Sequence, residues 1–359
     1  MKRKIQVVFG LGLGAFLVWL VFRDTDWPKV YAAARSAHWG WLLIGMVAMT
    51  ATFVSRIWRW RYVVRTAKPV SFRHMFSSTQ IGFLANFTLP GRAGELIRSL
   101  VLARLARLPV SKCIAFVALD RVTDLFGLIS VLLVAVLAFR PAGRITLPPE
   151  IPVPDWAGGL LQPAVIRNMA LGSAAFMAAI VVVLVLLYVN QRLALRVSDA
   201  VVGAVSKRLA ERVHEMLRHF AEGLHVFRSA PDMAKSAFFS LVTWGLFAFS
   251  YECMLLAFSL ELPWYAAFVT LSMVAVAISI PGAPGFIGQM HFGIYAALYV
   301  LRPDIDTDLA KAVALVTHVV NVIPVYVVGG VCLYYEQFGL LELRRETEQV
   351  EEELESESP

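Results

Sequence analysis

The first candidates for chemistry form a charged cluster beside a Pro-Gly break in an apolar segment. The cluster is Arg92, Glu95 and Arg98, and its spacing of three places the side chains on one side of a helix that begins near Gly91. Free N–H groups at such a helix start bind anions, and an arginine beside them suits a phosphate group. We therefore predict an anion site here. The alternative is a set of cytoplasmic side chains that extend from the helix to the membrane surface.

A second charged cluster lies inside a long apolar run and consists of Asp120, Arg121 and Asp124. The two aspartates are four residues apart and share a helix face, with Arg121 one step round. Charged residues at membrane depth are costly and are functional candidates. The pattern predicts the lining of a polar cavity, in which Arg121 binds a phosphate or an aspartate and the acids leave room for a further cation. The alternative is an internal ion-pair network that holds helices together.

Other polar residues in apolar segments are weaker candidates. Glu252 is either a proton or cation site or a satisfied buried acid, whereas Gln289 and His291 follow the second Pro-Gly break and predict a polar lining near it. Core hydrogen bonding explains two residues of the last apolar segment equally well, namely His318 and Asn321. Two arginines flank tryptophans at a span end and are assigned only an anchoring role in the aromatic and basic belt, namely Arg56 and Arg59.

The elements that position these side chains are apolar segments interrupted by two breaks of the pattern apolar-Pro-Gly-x-x-Gly. The breaks are Pro90, Gly91 and Gly94 in one half of the chain, and Pro281, Gly282 and Gly285 in the other. Proline removes a helix donor and glycine tolerates unusual backbone angles. At bilayer depth such backbone must be buried in protein or line a wet cavity. Corresponding breaks in two halves indicate a transport site.

The bulk composition predicts an all-α polytopic membrane protein. The 359 residues are 58% hydrophobic and 16% charged, whereas soluble domains carry about 25% charged residues. A β-barrel is excluded because the apolar runs are continuous rather than alternating. Several of these runs reach the roughly 20 residues needed to cross a bilayer. The predicted spans are 5–22, 40–58, 113–139, 169–189, 236–258 and 309–335.

Basic residues orient these spans and place both termini in the cytoplasm. The segments Arg56–Arg73 and Arg98–Lys112 are both read as cytoplasmic. The stretch between them, from His74 to Glu95, is too short for two crossings, so we predict a re-entrant helix pair open to the cytoplasm. The second break then opens from the outside, as an inverted repeat would produce. The prediction is six spans plus two re-entrant pairs, with eight full crossings as the alternative.

The remaining features bound the domains and the partners. Residues 1–335 form the predicted membrane domain, within which 196–230 reads as an amphipathic cytoplasmic segment lying in the interface or packing on another protein. Residues 336–359 form an acidic tail, either disordered or a fraying helical end. The three cysteines lack metal-ligand spacing, so we expect no metal or cofactor. The net charge is +7, and the basic residues are predicted to lie in loops between spans. This favours binding to anionic lipids rather than to nucleic acid. Small residues along several spans permit a homo-oligomer.

Three motifs in a fixed order carry a family resemblance. The segment Asn86–Glu95 with Arg98, then Asp120-Arg121-x-x-Asp124, then Pro281-Gly282-x-x-Gly285, resembles the flippase-like membrane domain of lysylphosphatidylglycerol synthases over roughly residues 5–335. The resemblance implies the stand-alone form of that domain, without the aminoacyl-transferase domain, in a bacterial or archaeal cytoplasmic membrane. Family members often have an acidic residue after the second break, where this chain has Gln289, which weakens a proton or cation role there.

These observations lead to a primary hypothesis and two alternatives. The primary hypothesis is a lipid transporter without enzymatic activity that flips a phospholipid or lipid-linked precursor with an anionic or zwitterionic phosphate head group. Arginines 92, 98 and 121 would hold the phosphate, while the three acids would accept a cationic part or stabilise the arginines. One alternative is a membrane-embedded transferase on a lipid-linked substrate that uses Asp120, Asp124 and His291 as base or metal ligands. The other is a non-catalytic partner of a lipid-modifying enzyme.

Overall fold

The computed structural model describes residues 2–65, 69–89, 93–139, 230–280 and 282–356, with scattered positions between 168 and 198. All regular secondary structure within these ranges is helical, as the sequence predicts. Three residues of the break motifs lie outside the described residues, namely Pro90, Gly91 and Pro281. The same holds for Arg92, for most of the predicted span 169–189 and for nearly all of the amphipathic segment 196–230.

The described helices follow one another in a simple order. They are α1 (Lys2–Phe22), α2 (Trp27–Ser36), α3 (Trp39–Val64), α4 (Phe72–Thr88), α5 (Gly94–Ala106), α6 (Val110–Ala138), α7 (Ala230–Ala257), α8 (Ala266–Ser279), α9 (Gln289–Leu301), α10 (Thr307–Tyr335) and α11 (Leu340–Ser356). A short 3₁₀ turn, Pro284–Phe286, lies between α8 and α9.

Side-chain caps fix several of the helix starts. Asp306 accepts a hydrogen bond from the Leu309 amide at 2.8 Å, and Ser71 accepts one from the His74 amide at 3.2 Å. Such caps satisfy N–H groups that have no partner within the helix. The C-terminal end of α5 is set by the backbone of Arg107. Its φ of 50° is left-handed, which ends the helical hydrogen-bond pattern.

Four of the described helices are long and apolar enough to cross a membrane, namely α3, α6, α7 and α10. They correspond to four of the six predicted spans. The predicted span 5–22 lies on α1. Together with α2, α1 is also long and apolar enough to cross a membrane, as a broken span in which the two helices meet at a bend of 87°. These helices make the chain a multi-pass membrane protein, and the total number of crossings stays a prediction.

The first break separates two helices that reach further than the sequence indicated. Helices α4 and α5 pack against each other, and α5 continues to Ala106. Arg98 lies on α5 with only 1% of its surface exposed, so it is not a water-facing residue of a connecting segment, and the side of the membrane on which it lies stays a prediction. Arg56 and Arg59 likewise lie within α3, and the cytoplasmic location of the segment Arg56–Arg73 stays a prediction. Counting positive charges assumes that arginines face water, whereas some of these arginines have buried carboxylate partners.

The second break joins α8 to α9 through irregular backbone. The 3₁₀ turn contains Gly285 at a φ of 67°, and Gly288 precedes α9 at a φ of 86°. Both values lie in the region that glycine tolerates without strain. Helices α8 and α9 pack against each other, as α4 and α5 do.

Packing brings the two breaks together in the middle of the protein. The ring of Phe87, near the end of α4, meets the ring of Phe286 edge-on with centroids 5.0 Å apart. The hydroxyl of Tyr326 on α10 donates a hydrogen bond to the Phe87 carbonyl at 2.9 Å. Helix α7 runs along α3 and contacts α6, so that α3, α6 and α7 form a wall beside this junction.

The acidic C-terminal segment is helical from Leu340 to Ser356. Its first turns dock on α5, where Leu343 is fully buried and two glutamates form ion pairs with Arg104, namely Glu342 and Glu346. Of the two alternatives that the sequence left open, the structure has the helical one. An apolar anchor at Leu343 explains why this acidic helix packs on the rest of the protein.

Candidate functional site

The centre of the candidate site is Arg59, for which the sequence predicted only an anchoring role in the aromatic and basic belt. Its side chain is fully buried on α3. The guanidinium donates from Nε and Nη2 to Asp120 Oδ1 at 3.0 and 2.9 Å, and from Nη1 to Asp124. The predicted pair of aspartates on one face of α6 is thus confirmed as a pair, and the partner that joins them is an arginine of α3.

A second buried arginine completes this network. Arg98 on α5 donates from Nη1 to Asp120 Oδ2 at 2.7 Å. Its guanidinium carbon lies 3.7 Å from the centroid of the Trp60 ring, a cation–π geometry. The network therefore joins α3, α5 and α6, and it corresponds to the ion-pair alternative for the second cluster.

Arg121 lies at the edge of this network, with its side chain 38% exposed. It pairs with Glu95 at the start of α5, with Nη2 to Oε1 at 2.9 Å and Nε to Oε2 at 3.2 Å. Its Nη1 lies 3.7 Å from Asp124 Oδ2. The predicted contact of Arg121 with one of the aspartates is present, and its main partner is Glu95.

Arg56 lies one helical turn before Arg59 and differs from the other three arginines. Its guanidinium carbon lies between two rings, 5.2 Å from the centroid of Phe83 and 5.0 Å from that of Phe247. Among the described residues no carboxylate forms an ion pair with it. Arg56 is half-buried and faces a cavity.

This cavity has a volume of about 540 Å³ and lies where the two breaks meet. Its wall is mostly apolar, with contributions from α3, α4, α7, α8, the 3₁₀ turn and α9. Apolar lining residues include Met49, Phe53, Phe83, Phe247, Leu271, Ile278, Phe286 and Met290. The charged and amide side chains that line it are Arg56, Asn86, Glu95, Arg121 and Asn321. A wall of this kind with a few placed polar groups is typical of a binding site.

Two polar residues near the breaks act on the backbone. Asn86 Oδ1 accepts from the Gly94 amide at 2.9 Å and so joins the ends of α4 and α5. Gln289 is fully buried and donates from Nε2 to the carbonyls of Ala277 and Ile280, at the end of α8. Gln289 is not among the residues that line the cavity. Its contacts indicate that it holds the broken backbone in place.

The histidines predicted near the second break form a buried pair. The rings of His291 on α9 and His318 on α10 have centroids 4.4 Å apart. His318 Nε2 is 2.9 Å from the Gly285 carbonyl, and His291 Nδ1 accepts from the Gly288 amide at 3.2 Å. Both contacts fasten the glycines of the 3₁₀ turn region to flanking helices.

The remaining candidates lie apart from the cavity or make core contacts. Glu252 on α7 is half-buried and does not line the cavity. Asn321 donates to the Thr317 carbonyl at 2.8 Å and also lines the cavity. Within the described part of the chain, no group of three or more His, Cys, Asp or Glu side chains is placed to hold a metal ion.

The two missed arginines could have been found from one signal. Arg56 and Arg59 lie three residues apart inside an apolar run that extends beyond Trp60, so one helix face carries two cations at membrane depth. Two unexplained acids on another span needed a basic partner, and buried acids are paired. Because Arg56 and Arg59 were assigned to the end of a span, they were not considered as partners of the two acids.

Comparison with known proteins identifies the family. The family model for the transmembrane region of lysylphosphatidylglycerol synthases matches residues 7–329, and the chain belongs to that family. The resemblance of the three motifs is thereby confirmed. The family indicates a membrane function related to lipids. A search of curated proteins found no match.

Proposed function

We propose that this member of the lysylphosphatidylglycerol synthase transmembrane family moves a phosphate-bearing phospholipid or lipid-linked precursor between the two leaflets of a membrane. The observation that carries the proposal is the cavity of about 540 Å³ in which residues of both breaks meet a charged cluster. A lipid needs an apolar surface for its chains and a polar site for its head group. This cavity offers both, with Arg56 and Arg121 at its polar part.

The lengths of the helices beside the breaks support access from the membrane surfaces. Helices α4 and α5 have 17 and 13 residues, and α8 and α9 have 14 and 13. Each is shorter than the roughly 20 residues that span a bilayer. In our proposal the two pairs are re-entrant elements of an inverted repeat, open to opposite leaflets, with both termini in the cytoplasm. The cavity at their junction is then the point of alternating access.

The two alternative functions have less support. A transferase that used Asp120 or Asp124 as a base or metal ligand would need a free carboxylate oxygen. Both Asp120 oxygens accept hydrogen bonds from guanidinium groups, Asp124 Oδ1 accepts from Arg59 and from Trp244 Nε1, and Asp124 Oδ2 lies 3.7 Å from Arg121 Nη1. A metal ion at either residue would therefore have to compete with an arginine. A partner role would rest on two docking surfaces, the amphipathic segment 196–230 and the acidic tail. Nearly all of the segment lies outside the described residues, and the helix of the tail packs on α5 of the same chain.

The experiment is translocation in liposomes that contain a lipid with a fluorescent label on its head group. Protein reconstituted at a known ratio should expose inner-leaflet label to a membrane-impermeant quencher, and protein-free liposomes should not. Ala275→Trp places a large side chain in the cavity and should slow the reaction. Val47→Trp is the matched control, because Val47 is 60% exposed on α3 and lies outside the cavity. Equal slowing by both variants, or no protein-dependent reaction with any lipid class, would refute the proposal.

A further inference from the structure

The charged cluster is fully paired at every carboxylate. Asp120 accepts from Arg59 at Oδ1 and from Arg98 at Oδ2, at distances of 2.7–3.0 Å. Glu95 is held at both oxygens by Arg121, at 2.9 and 3.2 Å. Each of these four oxygens already faces a guanidinium group, so the charge of both carboxylates is balanced within the protein.

Asp124 is paired in the same way. Its Oδ1 accepts from Arg59 and from the Trp244 indole N–H at 2.9 Å, and its Oδ2 lies 3.7 Å from Arg121 Nη1. The sequence suggested that the two aspartates leave room for a further cation. The structure places three arginines on them instead: Arg59 from α3, Arg98 from α5 and Arg121 from α6 itself.

The charges around the cavity then leave one cation in excess. The described cluster contains four arginines and three carboxylates, so its net charge is +1. The arginines are Arg56, Arg59, Arg98 and Arg121, and the carboxylates belong to Glu95, Asp120 and Asp124. The excess is located on Arg56, whose guanidinium lies between the Phe83 and Phe247 rings and faces the cavity. A cation that forms no ion pair of its own and faces a mostly apolar wall is an unfavourable arrangement that an anion would relieve.

We propose that Arg56 anchors the head-group phosphate and that the cavity selects lipids whose head group carries a net negative charge, such as a phosphodiester without a cationic group. This inference rests on the proposed function and narrows its substrate class. A phosphodiester with one negative charge balances the cluster and forms charge-assisted hydrogen bonds with Arg56. A zwitterionic or cationic head group brings an ammonium whose carboxylate neighbours are already paired with arginines, so its desolvation is poorly compensated. The apolar wall favours a lipid over inorganic phosphate, because it can bury acyl chain.

The test is a binding measurement that does not depend on transport. The protein is placed in lipid nanodiscs, and fluorescent phosphatidylglycerol is displaced by unlabelled phosphatidylglycerol, phosphatidylethanolamine or lysylphosphatidylglycerol. We expect phosphatidylglycerol to compete best. Arg56→Gln should weaken its binding by roughly 10- to 100-fold, the range set by a hydrogen bond to a charged group, and Arg56→Lys should weaken it less because the charge remains.

A matched control separates this effect from general surface charge. Arg61→Gln removes the same charge from the same helix, but Arg61 is exposed and its guanidinium lies over Trp58 outside the cavity. We expect binding of phosphatidylglycerol to be unchanged in this variant. An equal loss in the two glutamine variants would overturn the assignment to Arg56.

A variant of opposite sign tests the charge count itself. Glu95→Gln frees Arg121 and raises the net charge of the cluster by one, so binding should shift toward phosphatidic acid, whose phosphate can carry a second negative charge. An unchanged or opposite preference in Glu95→Gln would overturn the inference, even if Arg56→Gln failed to fold. Displacement by inorganic phosphate as strong as by phosphatidylglycerol would show a simple anion site and would equally overturn it.

The binding and transport experiments distinguish failure of the head-group selectivity from failure of the transport proposal. Head-group preference in nanodiscs without translocation in liposomes would leave the anion selectivity in place and refute the transport proposal. Translocation without any preference between phosphatidylglycerol and phosphatidylethanolamine, in wild type and in Arg56→Gln, would support transport and refute the selectivity.

Discussion

Replacing Arg59 with glutamine should destabilise the protein more than any other single arginine change on α3. Arg59 is fully buried and contacts both Asp120 and Asp124. Glutamine keeps a polar side chain but removes the charge, so the two buried carboxylates face each other with less compensation. Removing one partner of a buried ion pair typically costs about 3–5 kcal/mol. Folded domains have total stabilities of about 5–15 kcal/mol, so this loss is a large fraction.

The assay is reversible unfolding in mixed micelles, with the free energy of unfolding compared between wild type and variants. Arg61→Gln is the control, since exposed changes outside such networks usually stay within about 0.5 kcal/mol. Adding Asp124→Asn to Arg59→Gln should restore part of the loss, because it removes one of the unpaired charges. For residues in one network we expect a coupling of about 0.5–3 kcal/mol. The reasoning is refuted if Arg59→Gln stays within about 0.5 kcal/mol of wild type, or if the two changes are additive.

Two further changes test packing at the first break and at the C-terminal helix. At Gly94 an added Cβ would lie 2.1 Å from the Gly82 carbonyl oxygen, so Gly94→Ala should lower the free energy of unfolding by about 1–3 kcal/mol. Gly40→Ala meets nothing within 4 Å and should change it by less than about 1 kcal/mol; equal effects would contradict the close contact. Leu343 is fully buried and Leu341 is 68% exposed, so Leu343→Ala should weaken docking of α11 by about 2–5 kcal/mol and speed its proteolysis. Leu341→Ala should not, and α11 equally protected in both variants would contradict the docking.

The sequence predicted the parts of the fold that depend on local properties. Continuous apolar runs located α3, α6, α7 and α10 with each end correct to about six residues, because hydrophobicity over a bilayer thickness is a local signal. The glycines of the second break marked irregular backbone for a similar reason, since Gly285 adopts a left-handed conformation in the structure. The length of α5 was missed because its arginines read as a cytoplasmic loop.

The candidate site was predicted only in part, because pairing between distant helices leaves no local trace. Asp120 and Asp124 were found as a face of one helix, but their partners come from α3 and α5. The choice between a free cavity lining and an ion-pair network depended on those partners. Arg56 was missed because it resembles an anchoring residue in sequence. It is distinguished only by its position at the cavity and by forming no ion pair with a described carboxylate.

The most direct test of the central claim is to map where a lipid head group contacts the protein during transport. A phosphatidylglycerol with a photoactivatable head group is added to proteoliposomes, crosslinked and located by mass spectrometry. Our account predicts adducts on cavity residues such as Phe83 and Phe247. If the head group did not pass through the cavity, it would not reach these residues. Adducts confined to exposed aromatic residues near helix ends, such as Trp39 and Trp264, would contradict passage of the head group through this cavity.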